Sequence, residues 1–151
     1  VERAKGGAAL IIIGGCTIDE YSGAPNMISV RDDKFIPGLA ALVKAVQAHG
    51  TKIAAQLYHA GRFVHSMLLD GKQSISSFPV RSKFTGETPR QLSIPEIKQI
   101  QKNYALAAAR VKRAGFAAVE VIAAAGYLIS QFLSPVVNRR KDEYGGGDKR
   151  D

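Results

Sequence analysis

Apolar residues change their period along this chain, and each change marks an element. "GGAALIIIGG", residues 6–15, is a short continuous apolar run bounded by glycines. It predicts a strand buried on both faces, as a parallel sheet requires. "FIPGLAALVKAVQAHG", residues 35–50, switches to helical spacing, with Leu39, Leu42, Val43 and Val46 on one stripe. Pro37 suits the first helical turn, where its missing N–H would be unpaired anyway, and Gly50 suits a left-handed stop. "TKIAAQLYHAG", residues 51–61, is a second strand. Residues 62–92 keep no period and contain Gly71, Pro79, Gly86 and Pro89, so they predict a long loop. Loops of that length in compact domains are usually functional or disordered. "SIPEIKQIQKNYALAAARVKRAG", residues 93–115, is the clearest helix, with Ile97, Ile100, Tyr104, Ala108 and Val111 along one face. Ser93 and Glu96 have capping-box spacing, Lys112 and Arg113 suit the negative end of the dipole, and Gly115 ends the helix. "FAAVEVIAAAG", residues 116–126, is a third strand.

Strand, helix, strand, helix, strand implies an α/β fold with parallel pairing and right-handed crossovers. Two architectures fit: an open doubly wound sheet, or a segment of a (β/α)8 barrel. Each strand runs into a polar or glycine-containing stretch, "GGCT", "QLYHAGR" and "AAAGYLISQF". Function-bearing loops at that end of the strands suit either architecture.

Composition narrows the classes. The 151 residues suffice for one domain, and 46% hydrophobic with 23% charged is ordinary for a globular protein. No apolar run reaches the ~20 residues of a membrane helix. One cysteine, Cys16, excludes an internal disulfide framework, and its plain structural role is a small residue after a strand. The formal charge is +8, but the Lys and Arg residues are scattered, and "NRRKDEYGGGDKRD" mixes acids with bases. Aromatic residues do not interleave with the bases, so nucleic acid is not the expected partner; an anionic cofactor or substrate is. The start, "VERAKGGAALIIIGG", lacks the ordered regions of a signal peptide and an initiator Met. A processed or truncated cytoplasmic chain is expected.

The chemistry candidates are few. There is no nucleotide P-loop, dinucleotide fingerprint or nucleophile elbow. His49, His59 and His65 are widely spaced and no acid pairs with them in a ligand pattern, so no metal site is expected. Gln56 lies in an otherwise apolar or small strand and shares a face with Ala54 and Tyr58. Its carboxamide offers both donor and acceptor, which matches the edge of a pyrimidine-like ring such as a flavin, or else bonds to neighbouring backbone. Tyr127 follows four small residues and either donates a proton to a developing carbanion or packs at a helix start. Glu120 reads as inward-facing, paired and structural.

Two stretches carry a family resemblance. "QLYHAGR", residues 56–62, and "GYLISQFLSPVVNRRKDEYGG", residues 126–146, resemble signatures of the Old Yellow Enzyme family of flavin-dependent ene-reductases. "RAKGG", "GLAAL", "TPRQLSIPEIKQI" and "AGFAAVEV" fit in order and spacing. The resemblance implies a (β/α)8 barrel with non-covalent FMN, reduced by NADH or NADPH, that passes hydride to an activated alkene. It implies that Gln56 contacts the flavin pyrimidine edge and that Gly15 supplies a backbone contact, with Cys16 beside it. It implies that Tyr127 protonates the substrate, with Tyr58, Ile122 and Ala125 as substrate-facing positions. Many members carry a hydrogen-bonding pair where this chain has Ile122 and Ala125, so simple enones are not its expected substrates. A branch similar to 2,4-dienoyl-CoA reductase comes nearer, and the match fades after Gly146, in "GGGDKRD".

On this resemblance residues 1–151 form a partial FMN-binding barrel domain holding barrel strands two to four, with strand one and strands five to eight absent. Open edges and an uncovered face would then make the isolated chain a weak FMN binder. The partners implied are a small unsaturated substrate and either a second copy of the chain or the rest of the barrel, without nucleic acid or membrane. Two other readings stand beside it: a truncated or degenerate non-catalytic fragment serving as a structural or interaction module, and an unrelated α/β binding domain.

Overall fold

Two glycines with left-handed backbone, Gly50 (φ +78°) and Gly115 (φ +90°), stop the two long helices and turn the chain into a strand. The computed structural model describes residues 1–145, so the departure after Gly146 lies outside the described residues. The elements are α1 (Glu2–Lys5), β1 (Leu10–Thr17), α2 (Ile36–Gln47), β2 (Lys52–Tyr58), β3 (Ile75–Ser76), β4 (Arg90–Gln91), α3 (Ile94–Arg113), β5 (Ala118–Val121) and α4 (Leu128–Leu133). They fall into two units. The first comprises Val1–Asp19, Met27–Tyr58 and Ile100–Val121; the second comprises Glu20–Asn26, His59–Gln99 and Ile122 onward.

In the first unit β1, β2 and β5 form a parallel sheet in that order. Pleating sends alternate side chains to opposite faces. Ile11, Ile13, Ile53, Ala55 and Leu57 pack with Leu39, Val43 and Val46 of α2 and Ala107 and Val111 of α3. Each fully buried aliphatic side chain in this layer contributes roughly 1.5–3 kcal/mol. Both predicted apolar stripes are therefore the core faces of their helices. The other face is barer: Leu10 and Ile12 are each 50% exposed. Within these residues only the helix-facing set of β1 meets a covering layer, so burial on both sides is not met here and the uncovered face expected of a barrel segment is. Val121, on the flanking strand β5, is 49% exposed. Beside it, Val119, Phe116, Ala108 and Val111 line an open groove of about 490 Å³.

The register of β1 on β2 slips once. Ile13 pairs with Ala55 and Cys16 with Leu57, so Gly14 and Gly15 together oppose Gln56. Two residues against one is a bulge, and it re-aims the end of β1. The Gly14–Gly15 peptide is cis.

In the second unit the segment predicted as a featureless loop is built. Gly61–Phe63 and Ser66–Leu69 form short 3-10 turns, and β3 pairs with β4 in parallel, Ile75 with Arg90 and Ser76 with Gln91. Arg140, buried, donates to the carbonyls of Ser77 (3.0 Å) and Leu92 (2.6 Å) and pairs with Asp142 through two nitrogens. The guanidinium thus staples the ends of both short strands. At the start of α3 only half of the predicted box forms. Glu96 accepts from the Ser93 backbone N–H (2.8 Å), but the Ser93 hydroxyl also donates to Glu96 (2.7 Å) instead of capping a backbone N–H. Arg90 draws the same carboxylate, at 2.7 Å.

Candidate functional site

Gly14 and Gly15 sit where a side chain has no room. A Cβ on Gly14 would lie 2.6 Å from the Gln56 Cβ, and one on Gly15 would lie 2.6 Å from both Cβ and Cγ of Tyr58. The bulge therefore lays bare backbone against the Gln56 and Tyr58 side chains. Gln56 is directly in register with Glu120 of β5, and its Nε2 donates to Glu120 Oε2 at 3.2 Å. Among the described residues this is the one side-chain hydrogen bond Gln56 makes, which leaves its carbonyl oxygen and second amide hydrogen for a ligand. Cys16 is fully buried; its thiol points to the Ile13 carbonyl at 3.8 Å. Burial pushes that thiol up to about 11, partly offset by the Gln56 backbone N–H, so it stays neutral at neutral pH and is no nucleophile.

The second unit holds Ile122, Ala125 and Tyr127. Ala125 (φ +57°) and Gly126 (φ +77°) both have left-handed backbone, and the Tyr127 N–H returns to the Ala124 carbonyl at 3.2 Å. Positive φ at both central residues is the signature of a type I′ turn, which favours Asn-Gly. Tyr127 is the residue before α4, its ring meeting the edge of Phe63 with centroids 6.2 Å apart. A Cβ on Gly126 would lie 2.8 Å from Phe63 Cε2, so the ring fills the space over the turn. Ile122 is half-buried and Ala125 exposed, and neither side chain offers a hydrogen bond.

The structure thus brings Gly15, Gln56 and Tyr58 together in the first unit, with Cys16 beside them. Ile122, Ala125 and Tyr127 follow one another along one stretch of the second. Three residues do more in the structure than their place in the sequence suggests. Glu120 orients Gln56; its signal is a charge in register with a carboxamide on a strand. Gln131 is buried in α4, one turn from Leu128, a polar residue on the inward stripe of a short helix. Arg140 hides in a charge run that reads as solvated.

A flavin fits the first group. The glycines let bare backbone lie against the Gln56 and Tyr58 side chains, and the tethered carboxamide keeps one donor and one acceptor for an alternating N–H and C=O edge. Among the described residues no group of three or more His, Cys, Asp or Glu is placed to hold a metal, and no helix is long and apolar enough to cross a membrane.

The comparisons with known proteins point to the same cofactor. The family model for the NADH:flavin oxidoreductase / NADH oxidase family matches residues 1–151. A metal reductase of Desulforamulus reducens is 56% identical over 95% of this chain and 21% of its own length. An NADH oxidase of Thermoanaerobacter brockii is 41% identical over 99% of this chain and 23% of its own. The chain thus spans under a quarter of the length of these two relatives. The solved structure of morphinone reductase in complex with tetrahydroNAD superposes with a TM-score of 0.89 at 35% identity, over 95% of this chain and 44% of that one. The fold is a segment of a (β/α)8 barrel rather than of an open doubly wound sheet.

Proposed function

The chain belongs to the NADH:flavin oxidoreductase / NADH oxidase family, whose members use FMN and a nicotinamide nucleotide, and from that membership we propose that the whole protein reduces an activated alkene. The observation that supports the cofactor half of this reading is a carboxamide held on one side by Glu120, beside the bare backbone of Gly14 and Gly15. When bound, FMN supplies a two-electron carrier between the nicotinamide nucleotide and the alkene. Gln56 holds the pyrimidine edge and Glu120 keeps its amide turned the right way. Gly15 offers backbone to the ring, and Cys16 stays an inert filler beside it. Tyr127 gives its phenolic proton to the substrate carbon next to the activating group, while the other alkene carbon takes the hydride.

Ile122 and Ala125 put apolar surface where a carbonyl would seek donors. The substrate class that suits them is an α,β-unsaturated or dienoyl compound anchored by its remaining parts. Such sites recognise apolar bulk and do not select by hydrogen bonds to a small carbonyl group. The same lack of donors, with the name of the Desulforamulus relative, supports a second reading in which a metal complex takes the electrons.

The test uses the full-length, FMN-loaded protein, NADH and NADPH, and a panel of methyl acrylate, N-ethylmaleimide, 2-cyclohexen-1-one and Fe(III)-nitrilotriacetate. Alkene turnover that collapses in Tyr127→Phe, with flavin reduction intact, is the expected result. Turnover of the iron complex alone would favour the second reading. A purified protein that takes up no FMN would leave only the structural-module reading.

A further inference from the structure

Gln131 is 1% exposed, yet every hydrogen-bonding position of its carboxamide is used. Its Nε2 donates to the carbonyls of Gly126 (2.8 Å) and Ala60 (3.1 Å). Its Oε1 accepts from the Ser76 hydroxyl (2.9 Å) and the Arg62 backbone N–H (3.2 Å). A carboxamide has two donor hydrogens and two lone pairs, so nothing is left over. Its main chain is engaged too: the carbonyl accepts from Ser77 Oγ (2.7 Å), and the N–H donates to the Tyr127 carbonyl (2.9 Å). Gly61, with φ +61°, is glycine because a Cβ there would overlap the Gln131 amide.

These partners belong to three separate segments: the chain after β2, the strand β3, and the turn that carries Tyr127. The side chain grasps the turn at Gly126, while the backbone bond to the Tyr127 carbonyl is the helical one that any residue at this position makes. A fully satisfied buried polar hub rigidifies one arrangement, whereas an apolar residue of the same size would pack without choosing among turn conformations. Position matters for proton transfer, because a misplacement of about 1 Å can cost roughly a hundredfold in rate. We infer that Gln131 is the positioning residue of Tyr127: it ties the Ala125–Gly126 turn to the Ala60–Arg62 and Ser76–Ser77 segments, and so holds the phenol where protonation needs it. This rests on the reading of Tyr127 as proton donor.

The two half-reactions separate the possibilities in the full-length, FMN-loaded enzyme, with rapid mixing and the fastest alkene of the panel. Gln131→Met should leave flavin reduction by the nicotinamide nucleotide within about twofold and slow alkene reduction by roughly tenfold to a hundredfold. Placed on Tyr127→Phe, the same substitution should add less than about twofold, because its effect passes through the phenol. Equal slowing of both half-reactions, or the same factor in both backgrounds, would overturn the assignment and leave Gln131 a packing residue. A large Tyr127→Phe effect beside a silent Gln131→Met would overturn the assignment alone. A silent Tyr127→Phe would overturn the proton-donor reading and this assignment together. If Gln131→Met yields no folded flavoprotein, Ser76→Ala removes a single donor to Oε1. The loss expected of it in alkene reduction is about threefold, again absent on Tyr127→Phe.

Discussion

Gln56 and Glu120 stand in register on neighbouring parallel strands, and the amide of the first donates to the carboxylate of the second at 3.2 Å. An amide can flip end for end at little cost unless something holds one side. Glu120 accepts only, so it selects the orientation in which nitrogen faces β5. Glu120→Gln offers both a donor and an acceptor and removes that choice. FMN affinity of the full-length protein should fall by about fivefold, the worth of one hydrogen bond, with little change in fold stability. Flavin fluorescence titration measures it; an unchanged dissociation constant would take Glu120 out of the site.

Gly14→Ala drives a methyl group against Gln56, and Gly15→Ala drives one against the Tyr58 ring, each at a 2.6 Å approach. Overpacking of this kind costs roughly 1–3 kcal/mol. Both variants should lower the urea midpoint and the FMN content of the purified enzyme. Gly38→Ala, on α2 with open space around its position, should lower neither.

Ala125 holds a left-handed backbone without the side chain that favours it. Asn suits the first central position of a type I′ turn, and the relief of strain should stabilise by about 1 kcal/mol. Ala125→Asn should therefore raise Tm. It also restores an amide donor beside Tyr127, so kcat/KM for 2-cyclohexen-1-one should rise. Ala125→Gly should share the gain in stability but not the gain in turnover, which separates turn strain from substrate anchoring.

Arg90 beside Glu96 holds that carboxyl down from the ordinary 4.5 to about 2. A depressed folded value means stability present above the unfolded pKa and lost as pH falls. The contribution of this pair should therefore be complete above about pH 4.5 and fade toward pH 2. Arg90→Met should flatten that part of the pH dependence, read as urea midpoints at stepped pH, and an NMR titration should find the Glu96 carboxyl closer to 4.5.

Much of this is legible in the residues themselves, and the rest has physical reasons for being hidden. α2 and α3 announce themselves because period, first-turn Pro37 and stop glycines are local properties of the chain. The bare face of β1 is not local: Leu10 and Ile12 look like core until the layer opposite them is known. Residues 62–92 look featureless because their order comes from elsewhere, above all from Arg140, 48 and 63 positions beyond the carbonyls it holds. Gly15, Gln56 and Tyr127 emerge from motif resemblance, since spacing alone leaves each a plain structural role. Gln131 sits inside the same motif, but its importance is a count of hydrogen bonds that no string of letters displays.

The middle strand of the first unit has one more consequence. Ile53, Ala54, Ala55 and Leu57 of β2 are all buried, while β1 and β5 each keep half-bare side chains. Local opening starts where few contacts must break, so within these three strands β1 and β5 open before β2 does. Amide hydrogen exchange should be slowest along β2. The carboxamide proposed to read the cofactor is thus mounted on the last of these three strands to breathe, and thermal loosening of β1 or β5 reaches it late.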